Sequence, residues 1–427
     1  MQKIHDVKEY QKEKVILITV VLREDVGKGW GFKENYEELK ELALTSGANI
    51  VDEVLVKLDK ATPNYFIGTG KAKEIHELVD SYGKEIGAVV FSEDLSSTQH
   101  RNLKELLGVK IIDRTQLILD IFSQRARTNE GKLQVELAQL EYMLPRLVGL
   151  GIKLSRLGGG IGTRGPGEKM LETDRRGVRR RIKYVKQDLT NLSKRREKLR
   201  QNRLAHSVAT VAVIGYTNAG KSTLLNTLTD AKVLADNRLF STLDLTSRRY
   251  ILPNKQKILF VDTVGFIHKL PHNLIEAFKA TLEEVQEADL LLHVLDINNE
   301  CAKEHLDAVY EVLEELKADK KPIITALNKV DLIDIDSNYI VERFKRDIHD
   351  SVPTSALNEK SVTSLIELIS KRLPKMTETI DIFIAHNEMA LLSQIYKEGQ
   401  VLKREDTPSG VRIKAAVPLY LKSKLHI

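Results

Sequence analysis

The sequence predicts a multidomain α/β protein: two α/β domains separated by a helical arm, followed by a small α+β domain. Three observations predict it. Apolar strand-like runs alternate with helical patterns over residues 1–114 and again over 207–374. Leucines at heptad spacing occupy the stretch between, 115–206, and a strand, helix, strand, turn, strand order fills 375–427. At 427 residues the chain exceeds one ordinary core, and its length suits about two to four domains.

In the first domain, strand signals at Val15–Leu22, Ile50–Leu58, Ala88–Phe91 and Val109–Ile112 alternate with helical spacing at Tyr36–Leu44, Lys71–Ser81 and Thr98–Leu107. Continuous apolar strands between helices predict a parallel sheet covered on both faces. In the arm, Leu133, Leu137, Leu140 and Leu144 follow +4, +3, +4 spacing, with Leu119 and Phe122 in phase upstream. After a connector, Val178, Ile182, Val185, Leu189, Leu192 and Leu199 keep the heptad phase, and Arg196 is the one departure. Two such seams predict an antiparallel two-helix coiled-coil arm. Pro145 should end or kink the first helix near Leu144.

The connector, 149–167, holds eight of the chain's 24 glycines and cannot pack a core of its own. A reversal needs only a few residues. The extra length, carrying Lys153, Arg156 and Arg164, reads as a tip loop that orders on a polyanion; a plain solvated linker is the alternative.

Composition excludes several classes. With 42% hydrophobic and 30% charged residues the chain has a globular balance. Its polar opening, MQKIHDVKEYQKEK, does not read as a signal peptide, and no apolar run approaches a membrane span. Cys301 is the lone cysteine, which excludes an internal disulfide framework and a multi-cysteine metal site; a cytoplasmic protein is expected. The net charge of +6 is concentrated. Between Glu168 and Arg203, fourteen Lys and Arg face five acids, a local +9, so the remainder carries −3. This basic helix is expected to contact nucleic-acid phosphates, with Arg175, Arg176, Arg179, Arg180 and Arg181 on the helix and Arg156 and Arg164 in the tip; a solvated charged face is the bland alternative. Aromatics are only 5% and few lie in the arm, which argues against base stacking.

The second α/β domain carries the chemistry. Gly215, Tyr216, Thr217, Asn218, Ala219, Gly220, Lys221, Ser222 and Thr223 follow an apolar strand and open a helix, the setting of a phosphate-binding loop. Lys221 is expected to reach the β- and γ-phosphates, and the Ser222 hydroxyl to bind Mg2+. Asp262, Thr263, Val264 and Gly265 end a second strand, where a carboxylate can hold Mg2+ through water and the Gly265 N–H can meet a γ-phosphate. Asn328, Lys329 and Asp331 end a third. Asp331 can accept two bonds that guanine offers and adenine does not, so the combination predicts a P-loop GTPase G domain binding GTP and GDP. Ser355 and Ala356 fit the loop beside the base. A hydroxyl that closes over Mg2+ should come from Ser241, Thr242 or Thr246, and the residues themselves do not choose among them. Phe266 stands where many GTPases have a glutamine that orients water, which predicts slow intrinsic hydrolysis completed by a partner or an ordered segment.

Together with the segments around it, the G domain resembles the HflX family, ribosome-associated GTPases of the Obg–HflX group. The likeness runs through YFIGTGKAKEI (Tyr65–Ile75), Gln116–Leu147, GGGIGTRGPGEKMLETDRRGVRRRI (Gly158–Ile182), GYTNAGKSTLLN (Gly215–Asn226), FSTLDLTSR (Phe240–Arg248) and Asp262–Glu284. It implies a monomer when free that binds the large ribosomal subunit and its RNA. It further implies that the protein splits or rescues stalled ribosomes under stress, with hydrolysis stimulated by the ribosome. By the resemblance Thr242 is the switch threonine and a metal ligand with Ser222, and Lys221, Thr242 and Gly265 serve hydrolysis. Asn218 matches an asparagine that helps hold K+ in related GTPases, and Phe266 is a family trait. The chain departs from the family at Glu168-Lys169-Met170 and at Leu245. Two other readings remain open: a ribosome-binding switch of the antibiotic-resistance or hibernation kind, and an ATP-dependent RNA-remodelling factor. For the latter, IGTGK (Ile67–Lys71) is the only hint and lacks a full phosphate-loop pattern.

Overall fold

A computed structural model describes residues 13–23, 31–147, 166–205, 208–229, 239–240, 242–243, 246–269, 271, 274, 279–334, 338–373, 377–418 and 421–422. The chain forms two compact units, Met1–Gln187 and Asp188–Ile427.

The first unit is built on a four-stranded, wholly parallel sheet in the order β2 (Asn49–Leu58), β1 (Lys14–Leu22), β3 (Ala88–Phe91), β4 (Lys110–Ile112). Helices α1 (Phe32–Ser46), α2 (Thr69–Ser81) and α3 (Ser97–Leu107) make the crossovers. The parallel arrangement follows from β1 and β3, which are apolar along their length and buried on both faces. Ser96 and Gln99 form a reciprocal capping box at the start of α3. Helix α4 (Arg114–Arg125) is capped by Asp113, whose Oδ1 accepts from Gln116 N at 2.9 Å.

Leu119 and Phe122 do not join the arm seam, as their heptad phase suggested. They are buried within α4, which packs against α1; the chain leaves the helix at Ala126 and restarts at α5 (Asn129–Arg146) with Thr128 as its cap. Leu119 keeps the phase of Leu133 across the break, Phe122 falls one residue short of the a position that Leu137 sets, and the helix does not continue. Pro145 sits in the last turn of α5, where its missing N–H costs a single bond, and the helix ends at Arg146, close to the stop expected near Leu144.

Helix α6 (Pro166–Ala205) carries the second seam. Counting Leu137 and Ile182 as heptad position a, Glu136 and Arg181 are both g, and Glu141 and Lys186 both e. Arg181 Nε and Nη2 meet Glu136 at 2.5 and 2.8 Å, and Lys186 Nζ meets Glu141 at 2.7 Å. Like flanks face each other only when one helix is reversed, so these pairs are those of an antiparallel hairpin. Leu137 and Val185 are buried on this seam.

The second unit holds a six-stranded sheet in the order β10 (Ser351–Pro353), β9 (Ile323–Asn328), β8 (Leu290–Asp296), β5 (Ala209–Ile214), β7 (Lys257–Asp262), β6 (Thr246–Ile251). All neighbours are parallel except β6, which runs antiparallel to β7. Strand β6 is not evident in the sequence pattern: TSRRYI at the sheet edge alternates half-buried and exposed positions and has no apolar run. Helices α7 (Lys221–Thr229), α8 (Lys279–Glu287), α9 (Ala302–Glu315), α10 (Asn338–Asp347) and α11 (Glu359–Arg372) accompany the sheet. The last element group is a three-stranded antiparallel sheet, β11 (Thr377–Ala385), β13 (Gly410–Pro418), β12 (Gln400–Thr407), whose core also includes Leu392 and Ile395 of α12 (Met389–Glu398). The fold class read from the sequence therefore stands. No helix among the described residues is long and apolar enough to cross a membrane.

Candidate nucleotide site and basic arm

The phosphate loop runs from the end of β5 to the start of α7, at the carboxyl ends of the strands, where open α/β sheets bind ligands. Its glycines are fixed by their neighbours. Gly215 has φ 147° and a Cβ there would collide with Val294 O; Gly220 has φ 97° and a Cβ would collide with Asn328 Nδ2. Lys221 is buried and folds back over the loop, its Nζ donating to Gly215 O at 3.1 Å and Tyr216 O at 2.7 Å. Burial pushes its ammonium down to about 8, against the opposing pull of Asp262. A Cβ on Gly265 would fall 2.9 Å from Lys221 Nζ, so the glycine backbone faces the lysine head group directly.

Ser222 Oγ lies at the centre of an oxygen cluster. It donates to Asp262 Oδ2 at 2.9 Å and lies 2.7 Å from Thr242 Oγ1. Asp262 is fully buried, and that burial raises its pKa against the lowering effects of Lys221 and the Ser222 hydroxyl. Asp262 Oδ1 and Thr217 Oγ1 are buried without a hydrogen-bond partner among the described residues. Two hydroxyls and a carboxylate with a spare oxygen fit a hard, oxygen-seeking cation such as Mg2+. Thr242 joins Ser222, Thr246 begins β6 opposite Asp262 in the β7 register, and Ser241 lies outside the described residues, as does Leu245.

The loops at the ends of β9 and β10 are tied to the phosphate loop through one side chain. Asn328 Nδ2 donates to Ala219 O at 2.8 Å while its Oδ1 accepts from Ala356 N at 2.9 Å. Thr227 Oγ1 of α7 donates to the same Ala356 at its carbonyl, 2.5 Å. Lys329 adopts a left-handed conformation (φ 65°) and pairs with Asp296 at 2.6 Å. Asp331 is exposed on the turn Val330–Leu332, so its carboxylate is not buried in advance; an incoming base would have to desolvate it. Ser355 is buried, its N–H donating to Ser361 Oγ at 2.9 Å and its carbonyl accepting from the same hydroxyl at 2.8 Å.

On α6, Arg179 and Arg180 are exposed, Arg176 lies 3.5 Å from Thr173 Oγ1, and Arg175 is half-buried. Arg181 is bound bidentately to Glu136, which makes it part of the hairpin seam as well as of the basic run. Arg156, Arg164 and the tip loop up to residue 165 lie outside the described residues.

Comparison with known proteins covers the chain in consecutive blocks. Models described as GTP-binding GTPase N-terminal, GTP-binding GTPase Middle Region, 50S ribosome-binding GTPase and HflX C-terminal domain match residues 33–123, 125–203, 210–329 and 340–419. A GTPase HflX of Caldanaerobacter subterraneus subsp. tengcongensis is 44% identical over 97% of this chain and 93% of its own length. The chain belongs to the HflX family of GTPases. The GTPase HflX of Escherichia coli K12 is 40% identical over 95% of this chain and 94% of its own. A Sulfolobus solfataricus GTP-binding protein solved with GDP aligns over 84% of this chain and 98% of its own, at 24% identity and a TM-score of 0.43.

As a member of the HflX family the chain binds GTP and GDP and hydrolyses GTP. Phe266 follows Gly265 into the core instead of toward the phosphate loop: it is 1% exposed and packs with Ala212, Ile214, Leu282 and Val285. Its ring therefore supports α8, while its backbone donates from N–H to Gly215 O at 3.1 Å and accepts from Thr217 N at 2.8 Å. The sequence pattern assigns Tyr216 only to the loop backbone, but its side chain is a strut. The ring stacks on His305 of α9 at 3.8 Å and 6°, and the hydroxyl accepts from His268 N at 2.9 Å. Burial holds the His305 imidazole down at about 4, so the stacked partner is neutral. No short motif signals a contact between positions 52 and 89 residues apart.

Proposed function

We propose that this chain is a cytoplasmic, ribosome-associated GTPase that acts as a monomer when free. In this reading it uses GTP with Mg2+ to engage the large ribosomal subunit and its RNA, and it dissociates or rescues stalled or vacant ribosomes under stress. The observation that carries the ribosomal half is the placement of charge on α6. The hairpin seam takes Arg181 through Glu136 and leaves Arg176, Arg179 and Arg180 exposed, with Arg175 half-buried beside them. An outward row of guanidiniums with little aromatic company suits the phosphates of folded RNA. The description of the family model over 210–329, a 50S ribosome-binding GTPase, supports the same partner.

In the G domain the roles follow from position. Lys221 would neutralise the β- and γ-phosphate oxygens and lose its loop carbonyl bonds in doing so. The Ser222 and Thr242 hydroxyls would hold Mg2+ directly, and Asp262 would do so through water. When bound, the cation would supply positive charge beside the phosphates. The Gly265 N–H would meet the γ-phosphate, and Thr242, already beside Ser222, would close over the cation. Tyr216, Thr217, Asn218, Ala219, Gly220, Thr223, Thr263 and Val264 would line the phosphates. Asn328, Lys329, Asp331, Ser355 and Ala356 would frame guanine. Asn218, exposed and left-handed at φ 60°, is placed to help hold K+ as a further charge beside the transferring phosphate. With its ring in the core, Phe266 offers nothing at this position to orient or deprotonate water. Hydrolysis is therefore slow until the ribosome orders the site.

Sucrose-gradient sedimentation of vacant ribosomes with the chain and GTP, a non-hydrolysable analogue or GDP tests the reading. Separated subunits with GTP and the analogue, and intact ribosomes with GDP, are expected. Intact ribosomes carrying bound protein in the analogue would instead make the chain a binding switch.

A further inference from the structure

Arg196 breaks the heptad pattern at an a position, where Ile182 and Leu189 set an apolar precedent. It does not point into solvent. Its side chain is only 18% exposed, and Nη2 lies 3.2 Å from Glu283 Oε2 on α8. Arg196 belongs to the second compact unit, beyond the part of α6 whose ion pairs bind α5. A polar group at an a position costs stability and is kept where it specifies a partner. The partner here is the helix that follows the Asp262–Gly265 motif.

That helix shares its core with the motif. Leu282 and Val285 of α8 lie in one buried cluster with Phe266, the residue after Gly265. Phe266 is bonded through its backbone to Gly215 and Thr217, and Gly265 lies so near Lys221 that a Cβ there would fall 2.9 Å from Nζ. Close-packed clusters pass a displacement on instead of absorbing it. A shift of α8 therefore reaches the atoms that face the γ-phosphate.

We propose that Arg196 is a positioning residue for GTP hydrolysis: through Glu283 it holds α8, and hence Gly265, in the placement that engagement of α6 by RNA makes productive. This deepens the ribosomal reading above and rests on it. The pair is part-buried, with Glu283 the more exposed partner, and the role assigned to it is the placement it imposes on α8.

The test is a charge-swap cycle with Arg196→Glu, Glu283→Arg and the double variant. Single-turnover GTP hydrolysis is measured alone and with saturating ribosomes, and binding is followed by co-sedimentation. Each single variant should keep the intrinsic rate within about twofold and sediment with ribosomes as the wild type does. Its ribosome-stimulated rate should fall about tenfold, and the double variant should recover most of that fall. Single variants stimulated as fully as wild type, or a double variant no better than the singles, would overturn the proposal. A wild-type rate that ribosomes do not change would remove the ribosomal reading itself. The positioning role would then stand or fall on amide exchange over 279–287, which both single variants should accelerate and the double variant restore. Unchanged exchange there would reject it.

Discussion

The nucleotide loops and the basic arm are built by opposite means. In the loops, a few buried groups hold one another through short bonds. Ser222 reaches both Asp262 and Thr242, and Asn328 clamps Ala219 to Ala356. On α6 the arginines lie in a row along one helix, with Arg179 and Arg180 exposed and Arg181 bound to Glu136. A buried, mutually bonded site concentrates its energy, so one substitution can destroy it. A row of surface charges distributes its energy, so each member is worth little and the row is worth much.

Substitutions can break this contrast in a graded way. The largest effect is expected from Lys221→Ala, which removes charge-assisted bonds to the phosphates. GTP affinity should fall by about 3 kcal/mol, on the order of a hundredfold, by titration calorimetry. Asp331→Asn comes next. It loses the paired acceptance from guanine, and the preference for GTP over ATP should shrink by roughly tenfold to a hundredfold in competition binding. Unchanged selectivity would contradict the base-recognition role. A smaller change is expected from Tyr216→Phe, which keeps the stack on His305 but leaves the His268 N–H without its acceptor. Hydrolysis should slow by about fivefold, roughly 1 kcal/mol, with GDP affinity nearly unchanged. At the other end of the scale, Arg179→Ala alone should alter large-subunit binding by less than about threefold. If that single change proved as severe as Lys221→Ala, the distributed picture of the arm would be wrong.

The same contrast explains what the sequence made legible. Phosphate-loop spacing, the Asp262–Gly265 segment and Asn328–Asp331 are short local patterns because each loop follows its own strand. The heptad phase of α5 and α6 was legible for the same reason. It misled at Leu119, which keeps the phase although the helix breaks at Ala126, and at Phe122, which lies one residue off it. Strand β6 escaped notice because an edge strand with one solvated face needs no apolar run. Phe266 was legible only for what it cannot do. Its burial beside Leu282 and Val285 depends on α8, and the strut formed by Tyr216, His268 and His305 depends on three elements meeting. Such contacts are tertiary, and no window along the chain contains them.

The central claim is that phosphate contacts made by the arm carry the chain onto the large ribosomal subunit while GTP sets when this occurs. Affinity for purified large subunits, measured against salt concentration with a non-hydrolysable GTP analogue and with GDP, tests it most directly. The wild-type chain should bind tightly only in the analogue, with a steep inverse salt dependence. Neutralising Arg175, Arg179 and Arg180 together should reduce the log–log slope by about one for each phosphate that the arm no longer neutralises. A shallow slope, or a steep one that these substitutions leave unchanged, would contradict it.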